Sequence, residues 1–127
     1  MAASYLDLAW HTLEEKVEDA NAFEKEILQN LGLIPEIASR YRSTYFAHIF
    51  AGGYSSGYYS YLWTEVLDAD AFELFKEKGL FDAETANNLK TLIYSSGNTR
   101  DLMDQYRKFR GSDPKIEPLL ERRGLVD

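Results

Sequence analysis

The 127-residue sequence predicts an all-α fold of about six helices. Apolar residues recur at three- and four-residue steps along most of the chain, which is the period of a helix with one buried face. Capping residues and glycines stand at the ends of these segments. Period-two alternation, which is typical of a half-buried strand, is absent, and valine is rare.

The N-terminal part of the chain predicts two helices. Residues 3–17 place their apolar side chains near one face and their acidic side chains elsewhere. Residues 22–31 carry the next apolar stripe. Asn21 followed by Glu24 resembles a capping box at the start of this stripe, and Gly32 supplies the residue that ends it.

The middle of the chain predicts a connector and a glycine-rich turn. Residues 33–43 lack a clean period, and Pro35 disfavours helix before it, so a connector or a short irregular helix is expected. Residues 45–50 are apolar and aromatic. Gly52 and Gly53 end this element because paired glycines favour unusual backbone angles.

A long helix is predicted from after Gly57 to about residue 78, with Gly79 at its end. Three shorter helices are expected beyond it, each with a cap or a proline at its start and a glycine at its stop. They are residues 83–94 behind Asp82, residues 99–110 behind Asn98 with Asp101, and a last helix from Pro118, with stops at Gly97, Gly111 and Gly124.

Composition excludes several classes of function. The net charge is −7, and the 14 basic residues are scattered among 21 acidic ones, so no cationic surface for nucleic acid or anionic lipid is expected. The absence of cysteine excludes a disulfide framework and suits a reducing cytoplasm. No apolar run approaches the roughly 18 residues of a membrane span, and no targeting signal is recognisable. A cytoplasmic location is therefore expected.

An aromatic segment is the strongest candidate for function, since residues 41–61 hold six of the nine tyrosines. Tyr54, Tyr58 and Tyr61 fall at i, i+4 and i+7, so a helix that begins near Tyr54 would project all three phenols along one side. Neutral phenols donate hydrogen bonds to carbonyl oxygens and stabilise a developing oxyanion. His48 could donate similarly. Alternatively, the tyrosines are half-buried core residues, and their spacing leaves both interpretations open.

Other chemistry-bearing groups give weaker signals. His11 lies near Glu14 and Glu15, but this arrangement is not HExxH, and a surface or interface histidine is the alternative to a metal ligand. Asp68 with Asp70, or Glu14 with Glu15, form carboxylate pairs that are usually solvated on an acidic helical protein. No nucleophile elbow, P-loop or dinucleotide fingerprint occurs.

The segment HIFAGGYSSGYYSYLWTEVLDADAF, residues 48–72, resembles the thimet-oligopeptidase-like zinc metallopeptidases, and most closely the bacterial peptidyl-dipeptidases. The resemblance extends over nearly the whole chain through AASYLDLAWHTL, RYRSTYFAHIF, YSSGNTRDL and FRGSDPKIEPLLERRGL. It corresponds to the C-terminal region of these enzymes. They are large, mainly helical and two-lobed, and they cleave short peptides in a narrow channel with zinc held by HExxH and a downstream Glu.

The resemblance implies a substrate-binding role for the aromatic segment. His48, Tyr54, Tyr58 and Tyr61 match family positions that hydrogen-bond substrate carbonyls and the developing oxyanion. The turn at Gly52 and Gly53 matches a loop that lies against bound peptide.

The resemblance also implies that the metal machinery lies elsewhere. Residues 1–127 are expected to be one C-terminal segment of the peptidase catalytic domain that begins in the middle of the enzyme, without the upstream HExxH part. Zinc is expected in the intact enzyme and not in this chain, which is expected to be inactive alone. Its partners would be short peptides and the missing N-terminal part.

Two further expectations concern partners. The alternative function is a stand-alone helical module that binds a peptide or a protein without catalysis. Removal of the covering lobe would also expose an aromatic surface around Phe46, Phe50, Tyr59 and Trp63, which predicts self-association.

Overall fold

The protein is described by a computed structural model that covers residues 1–126. This part of the chain is helical and contains no strand, which confirms the predicted all-α class. The elements in chain order are α1 (Ala2–His11), α2 (Ala20–Asn30), a 3₁₀ turn (Ser43–Tyr45), α3 (Ala47–Phe50), α4 (Ser60–Lys78), α5 (Ala83–Asn88), a π-helix (Leu89–Tyr94), α6 (Leu102–Arg110) and α7 (Glu117–Arg122).

Residues 1–62 form the first of two compact units. Its core consists of buried side chains from α1 and from the segment around α3, and aromatic and aliphatic residues from the rest of the unit pack on it. The buried members are Ala3, Leu6, Phe46 and Ile49, with Trp10, Ile27, Tyr41, Tyr54 and Tyr58 around them.

The 3₁₀ turn of the first unit is held by a buried carboxylate. Glu24 of α2 is 4% exposed, accepts the Ser43 backbone N–H at 2.6 Å, and pairs with Arg42 Nε at 2.6 Å. Trp10 Nε1 donates to Ser43 Oγ at 2.9 Å. Because a buried carboxylate needs such partners, Glu24 fixes the chain just before α3.

The first helix is shorter than predicted. It ends at His11, whereas the apolar stripe predicts a helix through residue 17. Thr12 Oγ1 donates to the Leu8 carbonyl at 2.9 Å and completes the helix end. Glu14 and Glu15 follow, and negative charge is unfavourable at a helix C-terminus, so the macrodipole opposes extension of the helix.

The start of α2 also differs from the prediction. Asp19 is the N-cap, and its Oδ1 accepts the backbone N–H groups of Asn21 and Ala22 at 2.9 and 3.1 Å. Glu24 is turned inward instead of closing a capping box. The predicted stop is confirmed, since Gly32 has φ +71° and the Leu33 N–H returns to the Leu28 carbonyl.

The second compact unit begins at Trp63. Its helices confirm the predicted positions of most elements. Asp82 caps α5 by accepting the Thr85 N–H at 2.7 Å, and hydrogen bonding with the Thr85 side chain, followed by this backbone bond, lowers the pKa of Asp82. The buried residues of the unit lie on α4, α5, α6 and α7: Val66, Ala69, Asp70, Leu74, Thr85, Gln105, Tyr106, Phe109 and Leu119.

Two boundaries in the second unit depart from the sequence pattern. The predicted helix over residues 83–94 changes at Leu89 to a π-helix, where the Ser95 N–H bonds the Lys90 carbonyl. Thr91 Oγ1 donates to the Asn87 carbonyl at 2.8 Å, and such back-bonding competes with the regular ladder. The helix predicted from residue 99 begins at Leu102, because Asp101 is its cap.

No helix in residues 1–126 is long and apolar enough to cross a membrane.

Candidate functional site

Four predicted site residues come together in the first unit and are called the phenol cluster: His48, Tyr54, Tyr58 and Tyr61. The rings of Tyr54 and Tyr61 stack with centroids 5.0 Å apart, and those of Tyr58 and Tyr61 also lie 5.0 Å apart. The His48 ring lies 5.8 Å from Tyr58 and 6.2 Å from Tyr54. The cluster joins residues from α3, the following turn and the first turn of α4.

The tyrosines meet in a way that differs from the predicted continuous helix. Tyr54 and Tyr58 precede α4, and consecutive i→i+3 turns connect them. The Gly57 N–H bonds the Tyr54 carbonyl at 2.8 Å, and the Tyr61 N–H bonds the Tyr58 carbonyl at 3.3 Å. The turn from Tyr58 to Tyr61 is a three-residue step, which brings the two side chains to one side.

The glycine pair forms the connection between α3 and these turns. The Tyr54 N–H bonds the His48 carbonyl at 3.0 Å, which closes the loop. Gly53 has φ +81°, a conformation that glycine adopts without strain. A Cβ on Gly52 would lie 2.8 Å from His48 Cα and 3.0 Å from the His48 carbonyl oxygen. The backbone of residue 52 therefore packs directly on the residue that carries the histidine.

A buried carboxylate that the sequence reasoning did not identify holds the tyrosine turns. Asp7 of α1 is completely buried. Its Oδ1 accepts the Ser56 N–H at 3.0 Å, and its Oδ2 accepts the Tyr58 N–H at 2.9 Å. His11 Nδ1 lies 2.9 Å from the same Oδ1. An acidic residue four positions before a histidine was the only available signal.

Two phenols of the cluster, Tyr58 and Tyr61, have a raised pKa. Burial is the main cause that raises the pKa of Tyr58, with Tyr41 and Tyr54 adding to it and Arg40 opposing it. A side-chain hydrogen bond with Tyr54 is the main cause that raises the pKa of Tyr61, and burial adds to it. Both side chains are therefore hydrogen-bond donors at neutral pH.

The cluster combines features of a core and of a binding surface. Tyr54 and Tyr58 are half-buried and pack on the core, as the structural alternative predicts. Tyr61 is 45% exposed. Since one side of the cluster is anchored and the other reaches solvent, the two interpretations of the tyrosine row are compatible.

A positively charged side chain borders the cluster. Arg40 is exposed, and its guanidinium carbon lies 5.6 Å from the centre of the Tyr41 ring. A hydrogen bond with Tyr41 is the main cause that raises the pKa of Arg40, and the neighbouring Tyr58 and Tyr61 add to it. The Tyr41 ring in turn lies 4.8 Å from His48. The cluster therefore has a cation at one edge.

The described residues do not fit a zinc site. Among residues 1–126 no three His, Cys, Asp or Glu side chains lie together in a way that could hold a metal ion. His11 Nδ1 contacts two acceptors, the Asp7 carboxylate and the Asp7 carbonyl at 2.8 Å, so this nitrogen carries a hydrogen. His11 is thus a half-buried partner of Asp7.

Two further sequence expectations are changed by the structure. Phe46, expected in an exposed aromatic patch, is completely buried in the core of the first unit. Phe50 and Tyr59 of the same unit are each 53% exposed, and Trp63 is 46% exposed. Asp70, expected on a solvated face, is also completely buried, because Tyr106 and Arg110 provide hydrogen-bond donors for it.

Substitution of Gly52 should disturb the histidine end of the cluster. We expect Gly52→Ala to destabilise the first unit by about 1–3 kcal/mol, because the new Cβ can be accommodated only by a backbone shift at His48. Urea unfolding and the NMR signals of the His48 ring report this effect. Gly57→Ala is the matched control, since its Cβ would meet its nearest atom at 3.5 Å, an ordinary contact. Equal stability of the two variants would contradict the prediction.

Comparison with known proteins extends this description. The helical fold and a cluster of three tyrosine rings with a histidine define an all-α segment that carries an aromatic, hydrogen-bonding site. The profile of peptidase family M3 matches residues 1–125, and the chain belongs to this family.

Individual relatives agree with this assignment. The chain is 46% identical over 129 residues to the dipeptidyl carboxypeptidase of Escherichia coli K12, covering 98% of this chain and 19% of that protein. It is 49% identical over 80 residues to oligopeptidase A of the same organism, covering 63% of this chain and 12% of that protein. Saccharolysin of Saccharomyces cerevisiae is 31% identical over 80 residues, which cover 63% of this chain and 11% of saccharolysin. The chain thus spans about a fifth or less of the length of these relatives.

Proposed function

We propose that this chain forms the substrate-binding wall of a zinc-dependent peptidyl-dipeptidase that acts on short peptides in the cytoplasm. The phenol cluster is the observation that carries the proposal, because it places four hydrogen-bonding rings together beside an exposed glycine turn. Membership of peptidase family M3 and the likeness to a dipeptidyl carboxypeptidase support a peptide substrate.

The chemistry of the cluster suits the hydrolysis of an amide. When water adds to a peptide carbonyl, negative charge develops on the oxygen, and a preorganised neutral donor stabilises this charge. Tyr61 and Tyr54 are the first candidates for this donor, and His48 is the next. Tyr58 binds a neighbouring carbonyl group. The exposed backbone at Gly52 and Gly53 lies against the peptide, where a side chain would interfere.

The proposal assigns the metal to another part of the enzyme. Zinc would supply the activated water, and no three His, Cys, Asp or Glu side chains of residues 1–126 lie together in a way that could hold it. The role of this chain is therefore limited to binding, orienting and charge stabilisation. On this proposal the 127-residue chain is one segment of the catalytic domain and has no peptidase activity alone.

Arg40 offers a basis for dipeptidyl specificity. An enzyme that removes C-terminal dipeptides must recognise a free α-carboxylate, for which a guanidinium is well suited. Arg40 is exposed beside the phenols and carries this charge. We expect Arg40→Ala to raise KM for a free-acid tripeptide by about 10-fold, which corresponds to one exposed charged hydrogen bond. The C-terminally amidated peptide is the control, and an equal loss for both peptides would argue against carboxylate recognition.

A chimeric enzyme tests the proposed function. The matching segment of the E. coli relative is replaced by this chain, and release of a dipeptide from an N-blocked tripeptide is measured with and without chelator. We expect chelator-sensitive turnover by the chimera and none by the isolated chain. A folded, zinc-loaded chimera without turnover would overturn the proposal. Peptide binding by the isolated chain together with this result would favour a stand-alone binding module.

A further inference from the structure

A carboxylate from α1 reaches the turn that carries the tyrosines, across a large separation in sequence. Asp7 accepts the amides of Ser56 and Tyr58, which are 49 and 51 residues further along the chain. These amides lie on either side of Gly57. The carboxylate therefore fixes the backbone between Tyr54 and Tyr58, where no regular helix does so.

The turn needs such an anchor because its own conformation is strained. Ser56 has φ +53°, an unusual value for a residue with a side chain. The N–H groups of Ser56 and Tyr58 are both taken up by Asp7, so the carboxylate satisfies two backbone donors of this irregular segment. The Ser55 hydroxyl adds one contact by donating to the Ile49 carbonyl at 2.6 Å.

His11 completes the arrangement from the next turn of α1. Its Nδ1 lies 2.9 Å from the oxygen of Asp7 that also accepts the Ser56 amide, and 2.8 Å from the Asp7 carbonyl oxygen. His11 is half-buried, and its ring lies 5.8 Å from that of Phe50. The Asp7 carboxylate therefore accepts the Ser56 and Tyr58 amides, and His11 beside it restricts its rotation.

We infer that Asp7 is a positioning residue for the phenol cluster, with His11 as its orienting partner, an inference that rests on the proposed function for its catalytic consequence. Asp7 touches no substrate. It acts through the Ser56 and Tyr58 amides, which set the places of Tyr54, Tyr58 and Tyr61. Small displacements of such donors reduce turnover because the preorganised geometry is lost.

Replacement of Asp7 by Asn distinguishes the hydrogen-bonding role of this side chain from the space that it fills. The Asn side chain has the same shape, but it offers one acceptor oxygen and an NH₂ group. Whichever way the Asn amide is turned, its NH₂ group faces either the Ser56 N–H or the Tyr58 N–H, and it cannot accept a hydrogen bond from that group. Asp7→Asn should therefore release one of the two amides without creating a cavity.

The test uses NMR on the 127-residue chain and kinetics on the chimera. We expect Asp7→Asn to increase hydrogen exchange of the Ser56 or Tyr58 amide about 10-fold or more, the size of one lost hydrogen bond to a charged group. Ring contacts between Tyr54 and Tyr61 should weaken. In the chimera kcat should fall about 10-fold or more while KM changes little, as expected when only transition-state interactions are lost.

Asp70→Asn is the matched control, because Asp70 is equally buried but belongs to the second unit, where its hydrogen-bond partners are Tyr106 and Arg110. It should lower stability without changing exchange at Ser56 and Tyr58 or the kcat of the chimera. Asp7→Asn with unchanged exchange and ring contacts would overturn the inference. The same losses in Asp70→Asn would also overturn it, since they would reflect general destabilisation.

If Asp7→Asn does not fold, substitutions of His11 test the same inference with a smaller change. His11→Leu removes one neighbour of the carboxylate and leaves both amides paired, so a smaller increase in the same exchange rates is expected. His11→Gln retains an N–H donor and should restore protection. Identical behaviour of these two variants would count against the orienting role of His11. Because exchange is measured on the chain itself, an inactive chimera would refute the proposed function without deciding the role of Asp7.

Discussion

Replacement of Tyr61 by Phe should lower the kcat of the chimeric enzyme by about 100-fold or more with little change in KM, the size expected for one lost oxyanion donor. The Tyr61 ring stacks on Tyr54 and contacts Tyr58, so Phe keeps the packing and removes only the hydroxyl. The raised pKa of Tyr61 keeps that hydroxyl protonated, and only a protonated phenol can donate to the developing charge. Steady-state kinetics on the blocked tripeptide measures the loss.

Tyr59→Phe is the control for this experiment. Tyr59 lies in the same turn, is 53% exposed, and lines a separate apolar cavity of about 230 Å³ with residues of α1 and with Leu62. Loss of its hydroxyl should leave turnover unchanged. His48→Ala should lower kcat as Tyr61→Phe does, because both groups belong to the cluster. Full turnover of the chimera carrying Tyr61→Phe and His48→Ala would show that the assigned roles are wrong.

The members of the site could be proposed from the sequence, but their arrangement could not. Residue spacing indicated a row of phenols at Tyr54, Tyr58 and Tyr61, and the structure places these rings within 6.4 Å of one another between centroids. The backbone at Tyr54 and Tyr58 is a series of short turns, and only Tyr61 lies in the first turn of α4. Periodicity depends on side-chain steps of three and four, which both conformations produce.

Sequence patterns could not predict contacts between residues that are far apart in the sequence. Asp7 lies in an apolar helix, and no neighbouring residue marks it as buried. The backbone amides that it accepts lie about fifty residues further along the chain. Phe46 was expected to be exposed because the family resemblance implied that a lobe absent from this chain covers it. It is buried because Tyr41 stacks on it at 5.1 Å and Tyr58 meets it edge-on at 4.9 Å. Tertiary contacts decide burial in such segments.

Helix number and type followed from the sequence better than helix ends did. Caps with one clear acidic candidate, such as Asp82, were predicted correctly. At α2 the predicted capping box of Asn21 and Glu24 was wrong, because Glu24 bonds the Ser43 N–H and Asp19, which was not proposed, caps the helix. Glu24 was drawn inward by Ser43 and Arg42, which left Asp19 to cap the helix.

The second unit contains a polar network around Asp70, which was expected from the sequence on a solvated face. Asp70 is completely buried and accepts the Tyr106 hydroxyl at 2.7 Å. Arg110 Nε lies 3.3 Å from its other oxygen, and the same guanidinium pairs with Glu77 at 2.9 Å. Burial, followed by the hydrogen bond to Asp70, raises the pKa of Tyr106, so its proton remains available for this bond. The network links α4 to α6.

Removal of the central carboxylate should therefore have the largest effect on stability in the second unit. We expect Asp70→Ala to lower the free energy of unfolding by about 3 kcal/mol or more, because the Tyr106 hydroxyl keeps only its long contact of 3.3 Å with the Leu67 carbonyl and Arg110 Nε loses its acceptor. Asp68→Ala is the control two residues away on α4. Asp68 pairs with Arg122 at 2.9 Å but is 72% exposed, and its loss should cost less than about 1 kcal/mol. Urea unfolding followed by circular dichroism measures both, and similar losses would mean that the Asp70 network contributes no more than a surface ion pair.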